Sequence, residues 1–207
     1  PKIVKYRTGV DFEPYLKNTF YRRLGAYTLT YNPLRFFPKD RIVPTERDTF
    51  YRMSLLHGKV HDEGASMVGG ISGHAGLFGS VNDLAKLMQT YLNYGRYGNE
   101  QLIAETAVKE FIRCQYCAEE NIHRGLGFDK PFLEYAPGRS TYAKDASPES
   151  FGHTGYTGTF TWADPQHNLL VIFFTNRVYP SRVNPVLANR GLRPRLHQSV
   201  YEAMKVP

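Results

Sequence analysis

Apolar residues recur at four-residue spacing near the start of the chain, where Phe12, Leu16, Phe20 and Leu24 would share one face of a helix. Asp11 stands ahead of them as a candidate N-cap, Pro14 suits a first turn, and Gly25 supplies a stop. A clearer helix begins at Ser80, whose hydroxyl is placed to cap the first turn while Asp83 sits near the positive end of the helix dipole. Leu84, Leu87, Met88, Tyr91 and Leu92 form its apolar stripe, and Gly95 ends it. Ala104, Ala107, Val108, Phe111 and Ile112 mark a further helix, and Leu196, Val200 and Met204 a last one.

Elsewhere the pattern changes. Gly158 to Ala163 and Leu169 to Thr175 are β-branched and aromatic runs separated by the turn-like stretch from Asp164 to Asn168, which predicts an antiparallel hairpin. Trp162 alternates with Phe160 there, a position suited to packing on a sheet face. Between Ala26 and Pro44 the prolines at 33, 38 and 44 forbid a long helix and predict a packed loop. Helices and loops over residues 1–150, then antiparallel strands and a terminal helix over 151–207, give an α+β fold with an antiparallel sheet flanked by helices.

Composition narrows the classes. With 207 residues, 42% of them hydrophobic, the chain can fill one domain-sized core. No apolar run approaches the roughly 20 residues of a membrane span. The net charge of +7 is spread through proline-rich loops and a tail, around Arg35, Lys39 and Arg41 and from Arg177 to Arg195. With no nucleic-acid-reading module in the pattern, it predicts a cationic surface and no nucleic-acid partner. Cys114 and Cys117 form a lone Cys-x-x-Cys, expected to be two unpaired thiols at a helix end. His57 and His61 have metal-site spacing near Asp62, Glu63 and His74, but Gly58 and Gly64 oppose the helix that would pair them. An ordered polar loop is expected, with no metal and no cofactor.

The sharpest chemical signal is Phe151-Gly152-His153-Thr154-Gly155-Tyr156-Thr157-Gly158, entering the hairpin. On a strand beside a cleft, a glycine would let a substrate approach the backbone, and the next N–H could face a developing oxyanion. A tight turn would account for the same glycines.

The stretch from Gly152 to Pro180 resembles the end of the serine β-lactamase and penicillin-binding-protein superfamily, whose Lys-Thr-Gly strand is often His-Thr-Gly in class C-like and esterase-like members. Gly69 to Ser80, leading into Asp83-Leu84-Ala85, is similar to that family's glycine-rich loop and following helix, and Thr8-Gly9 to Leu24-Gly25 is similar to an earlier segment. The resemblance implies acyl-enzyme hydrolysis of an amide or ester: a β-lactam, a cell-wall peptide or a small ester. It assigns catalytic roles to His153, Thr154, Gly155 and Tyr156, with the Tyr156 N–H as an oxyanion donor, and substrate contacts to His74, Ala75 and Thr157. A histidine where lysine is usual changes charge near neutral pH.

That family's nucleophile lies in Ser-x-x-Lys, which this sequence lacks. Tyr91-Leu92-Asn93 imitates its Tyr-x-Asn element, but Tyr91 lies on the helix stripe and comes too late in the order. The chain is therefore expected to be the C-terminal part of one domain, inactive alone, with its partner the missing N-terminal part. An exposed sheet edge would favour oligomers. The resemblance also implies a periplasmic or extracellular location. The alternative is a non-catalytic module appended to a cell-wall glycoside hydrolase. Val60-His61-Asp62-Glu63 resembles one branch of the family, with no role attached to it.

Overall fold

In a computed structural model describing residues 1–117 and 122–205, a helix absent from the sequence reading, α1 (Lys2–Thr8), precedes the expected one, α2 (Phe12–Leu16). Asp11 makes no side-chain cap and instead pairs with Lys5 at 2.7 Å. The helix continues as a wide π-helical turn, Lys17–Tyr21, and buries Tyr21 and Leu24. Glu13 anchors it from beneath: the buried carboxylate accepts from Thr30 Oγ1 (3.0 Å) and pairs with Arg35 (2.7 Å).

The described residues fall into two units, residues 1–87 with 176–184 and residues 88–175 with 185 onward. In the first, β1 (Thr30–Tyr31) opens the expected loop, which continues through single 3-10 turns. A hairpin of β2 (Pro44–Asp48) and β3 (Ser54–His57) follows, then α3 (Glu63–Met67) and β4 (Leu77–Phe78), which pairs antiparallel with β1. His57 ends β3 and faces the Ile42 carbonyl, so it shares no helix with His61.

The His61-Asp62-Glu63 run now has a structural role. His61 Nε2 lies 2.8 Å from Glu46, Asp62 caps α3 by accepting from the Ala65 N–H (2.7 Å), and Glu63 pairs with Arg182 at 2.9 Å. Arg182 also reaches Glu46 through Nη2 (2.8 Å) and through its own main-chain N–H (2.7 Å). Burial would raise the Glu46 carboxyl, but the bonds from Arg182 and His61 outweigh it and hold it low.

The Ser80 helix, α4 (Val81–Leu92), starts as expected, with the Asp83 N–H donating to Ser80 Oγ at 3.3 Å. The other half of the cap comes from a distance. Thr28 Oγ1 accepts from the Ser80 N–H (3.0 Å), and Asp83 accepts from the Thr28 N–H (2.7 Å). The helix ends where the Gly95 N–H returns to Thr90 O, 2.7 Å.

In the second unit, β5 (Arg96–Tyr97) and β6 (Glu100–Gln101) form a short hairpin before α5 (Glu105–Ile112). Val108 and Ile112 are buried, whereas Phe111, expected beside them, is 48% exposed. The cysteines also depart from expectation. Cys114 and Cys117 form a disulfide, because the chain turns after α5 and brings their Cα atoms to 5.7 Å, within bridging range.

The main sheet has the order β7 (Phe151–Thr154), β8 (Phe160–Asp164), β9 (Leu169–Phe173), antiparallel throughout, so the predicted hairpin is present with one strand added. Trp162 is buried in its core, stacked on Tyr142 at 4.8 Å. After α6 (Val186–Asn189), α7 (Leu192–Met204) packs Leu196 and Val200 against this core but exposes Met204. Its fully covered residues are His197 and Tyr201, polar groups with buried partners. Helices with small antiparallel sheets make the fold α+β.

Candidate active site

The β7 register sets His153 opposite Thr161 and Thr154 opposite Phe160. Gly152 must be glycine, since a Cβ there would strike the Thr161 carbonyl and the Trp162 ring. Gly155 is required by a different contact: its Cβ would meet the Thr159 side chain. The open space that substrate approach would need is therefore not what this glycine provides.

Beyond Thr154 the chain turns tightly. The Gly158 N–H donates to Gly155 O (3.1 Å), and the Gly155 N–H to Thr159 O (2.8 Å). Arg193, from the first turn of α7, donates through Nη2 to Gly155 O (2.9 Å) and Thr159 O (3.3 Å), while Thr175 Oγ1 donates to Gly158 O (2.7 Å). Because a trans peptide is planar, a Gly155 carbonyl turned toward Arg193 directs the Tyr156 N–H the opposite way. Arg193→Ala should free this peptide unit and cost about 2 kcal/mol, from the loss of charge-assisted bonds. Hydrogen exchange at Tyr156 and Gly158 tests this; unchanged protection would exclude Arg193 as the clamp.

His153 is exposed, with Nδ1 2.9 Å from Thr154 O. A carbonyl only accepts, so Nδ1 carries the proton and Nε2, 3.3 Å from Arg124 Nη2, is the acceptor. Arg124 Nη1 pairs with Asp129 at 2.8 Å. Asp129 is joined to β7 by two main-chain bonds with Gly152, 2.7 and 3.1 Å. Lys130, next along, is buried and donates to the Glu149 and Ser150 carbonyls at 2.8 and 2.7 Å; burial pushes its ammonium down to about 8. Sequence reasoning missed Arg124, Lys130 and Arg193. The glycine-rich run Arg124-Gly125-Leu126-Gly127-Phe128-Asp129 was the available sign of a hairpin presenting two charges.

The structure thus gathers His153, Thr154, Gly155, Tyr156 and Thr157 on one strand and its turn, with Tyr156 exposed and Thr157 half-buried. His74 and Ala75 belong to the first unit, in the loop before α4. There His74 lies 2.9 Å from Ser72 Oγ and 3.1 Å from Asp62. Tyr91 packs its ring against Phe128 at 5.2 Å, the core role its place on the stripe suggested.

A family model described as Beta-lactamase matches residues 2–192. The chain belongs to the β-lactamase family. Curated relatives carry a provisional name, D-alanyl-D-alanine carboxypeptidase. One from Salmonella heidelberg (strain SL476) is 36% identical over 208 residues, covering 93% of this chain and 47% of the relative. Another from Escherichia coli O157:H7 is 36% identical over 195 residues, covering 88% and 44%. This β-lactamase-family chain thus spans about half the length of the curated relatives it matches. Among solved structures, simvastatin synthase from Aspergillus terreus superposes with a TM-score of 0.63 at 16% identity, covering 100% of this chain and 54% of that one. A penicillin-binding-protein homologue from Caulobacter crescentus gives 0.60 at 19% identity, covering 97% and 55%. These likenesses are of fold.

Proposed function

We propose that this chain is the C-terminal part of a single β-lactamase-like domain in a serine hydrolase whose nucleophile lies outside residues 1–207. The reaction is acyl transfer: the serine attacks an amide or ester carbonyl, the leaving group departs, and water hydrolyses the acyl-enzyme. The favoured substrate is a cell-wall peptide ending in D-alanyl-D-alanine, the activity for which the relatives are named. The observation that carries this reading is the clamped Gly155–Tyr156 peptide beside His153 and Thr154. Its N–H direction is fixed from behind by Arg193, as a preorganised oxyanion donor requires. His153 and Thr154 orient the substrate, and Thr157 contacts it.

An extracytoplasmic site of action fits the Cys114–Cys117 disulfide, since such bonds persist in oxidising compartments. Among the described residues no helix is long and apolar enough to cross a membrane.

The full-length protein should be labelled by a fluorescent penicillin and should release D-alanine from an acyl-D-alanyl-D-alanine peptide. His153→Ala should slow acylation about a hundredfold. Unchanged turnover would remove His153 from the site. A full-length protein that neither labels nor turns over would favour a binding module attached to a glycoside hydrolase.

A further inference from the structure

Within the first unit, three side chains stand in line. His74 Nε2 lies 3.1 Å from Asp62 Oδ1, and a carboxylate only accepts, so Nε2 carries the ring proton. In the uncharged ring Nδ1 is then the bare nitrogen, and it accepts from the Ser72 hydroxyl at 2.9 Å. A serine bonded to an imidazole that a carboxylate holds from its far side is the arrangement that turns a hydroxyl into a nucleophile.

The loop carrying Ser72 and His74 is built to keep one shape. Its neck closes where Gly76 passes Gly70 so tightly that a Cβ on Gly76 would strike the Gly70 carbonyl. Asn32 Nδ2 donates to Gly69 O at 3.0 Å, and the buried Tyr31 hydroxyl donates to Ser72 O at 3.1 Å. With that carbonyl turned to Tyr31, the planar peptide directs the Gly73 N–H the opposite way, and among the described residues it has no acceptor. An N–H adjoining the attacking oxygen is where an oxyanion donor is needed. Asp62 is fixed separately, as the cap of α3. Ser72 is sheltered, only 8% exposed, and its neighbour Ile71 walls a cavity of about 430 Å³ with Phe12 and Pro14, room for a short acyl chain.

We propose that Ser72, His74 and Asp62 form a second acyl-transfer site, one that hydrolyses small esters of short-chain acids. Ser72 Oγ attacks the ester carbonyl as its proton passes to His74 Nδ1; the oxyanion faces the Gly73 N–H, and Asp62 balances the imidazolium. The C–O bond to the leaving alcohol breaks as His74 gives that alcohol the proton, and Ser72 is left acylated. Water, losing a proton to His74, then cleaves the acyl-serine, releasing the acid and restoring the hydroxyl. Every residue of this site belongs to the first unit, and nothing in it depends on the Gly155–Tyr156 peptide.

The test treats the full-length protein with a fluorophosphonate and locates the adduct by peptide mass spectrometry, with hydrolysis of 4-nitrophenyl butyrate followed alongside. Ser72 should carry an adduct. Ser72→Ala should remove it and abolish the butyrate hydrolysis that persists under saturating penicillin. His74→Ala should slow modification of Ser72 about a hundredfold. Asp62→Asn should slow it about tenfold, because the amide still caps α3 and only the charge is lost. An unmodified Ser72, or equal rates of its modification in the parent and in a His74→Ala protein whose thermal unfolding is unchanged, would overturn the proposal. Penicillin reports on the other site. An adduct at Ser72 in a protein that penicillin leaves unlabelled would uphold this site and sink the one under Gly155–Tyr156, and penicillin labelling with no adduct at Ser72 would do the reverse.

Discussion

Asp164→Ala is expected to destabilise the second unit by about 4 kcal/mol, the scale for stripping a buried charge from its partners. Asp164 ends β8 almost wholly buried. It accepts from the Ser147 N–H (2.9 Å) and hydroxyl (2.6 Å), the Gln166 N–H (3.1 Å), the Tyr201 hydroxyl (2.6 Å) and His167 Nδ1 (2.9 Å). Burial pushes its carboxyl up, yet the bonds from Ser147, Tyr201 and His167 prevail and hold it below the usual range. Alanine would remove the acceptor and strand several buried donors together, which costs more than losing one bond. The consequence reaches the site, because Tyr201 and Arg193 lie on the same helix, one tied to β8 and the other to the Gly155 turn. Urea unfolding of the variant measures the loss; a change under 1 kcal/mol would mean that Asp164 does not organise this region.

The second large effect concerns acid. His197 is fully buried among Phe160, Trp162 and Tyr201, and its Nδ1 accepts from the Ala143 N–H at 2.9 Å. Burial lowers its proton affinity from 6.5 to about 4, against a weaker opposite pull from Asp164. The unfolded chain therefore binds the proton in a range where the folded chain refuses it. His197's contribution is complete above pH 6.5, declines as the pH falls toward 4, and is gone below that, a total of about 3 kcal/mol. His197→Gln keeps an acceptor for Ala143 but does not titrate, so the difference in stability between the two proteins should narrow by that amount over this window. Parallel stability–pH curves would disprove it.

What could be read from the sequence was local. The Ser80 cap, the stripe on α4 and the hairpin around residues 164–168 depend on neighbours a few positions apart, and each stands where its pattern puts it. The β2–β3 hairpin was illegible because Glu46, Arg47 and Asp48 look like surface; Arg182, far along the chain, allows Glu46 to be buried, and the turn after β2 wraps Asp48 in bonds from Phe50, Tyr51 and Arg52. α7 misled in a similar way: its spacing of Leu196, Val200 and Met204 pointed one position away from the His197–Tyr201 face. In the site, the strand and turn from His153 to Thr157 were visible as a motif. The groups that hold them were not: Arg193 reaches the Gly155 turn from 38 residues away, and Arg124 and Asp129, though paired across their own hairpin, meet β7 only through tertiary structure.

Arg182 lies 136 residues beyond Glu46, and the strands of the main sheet are synthesised between them. At translation rates of roughly 5–20 residues per second, Glu46 emerges from the ribosome on the order of ten seconds before its guanidinium partner exists. The first unit is thus born with a vacancy at its centre that the nascent chain fills only on its return. Slowing translation between these two points should lengthen the window in which a protease finds residues 44–63 unprotected.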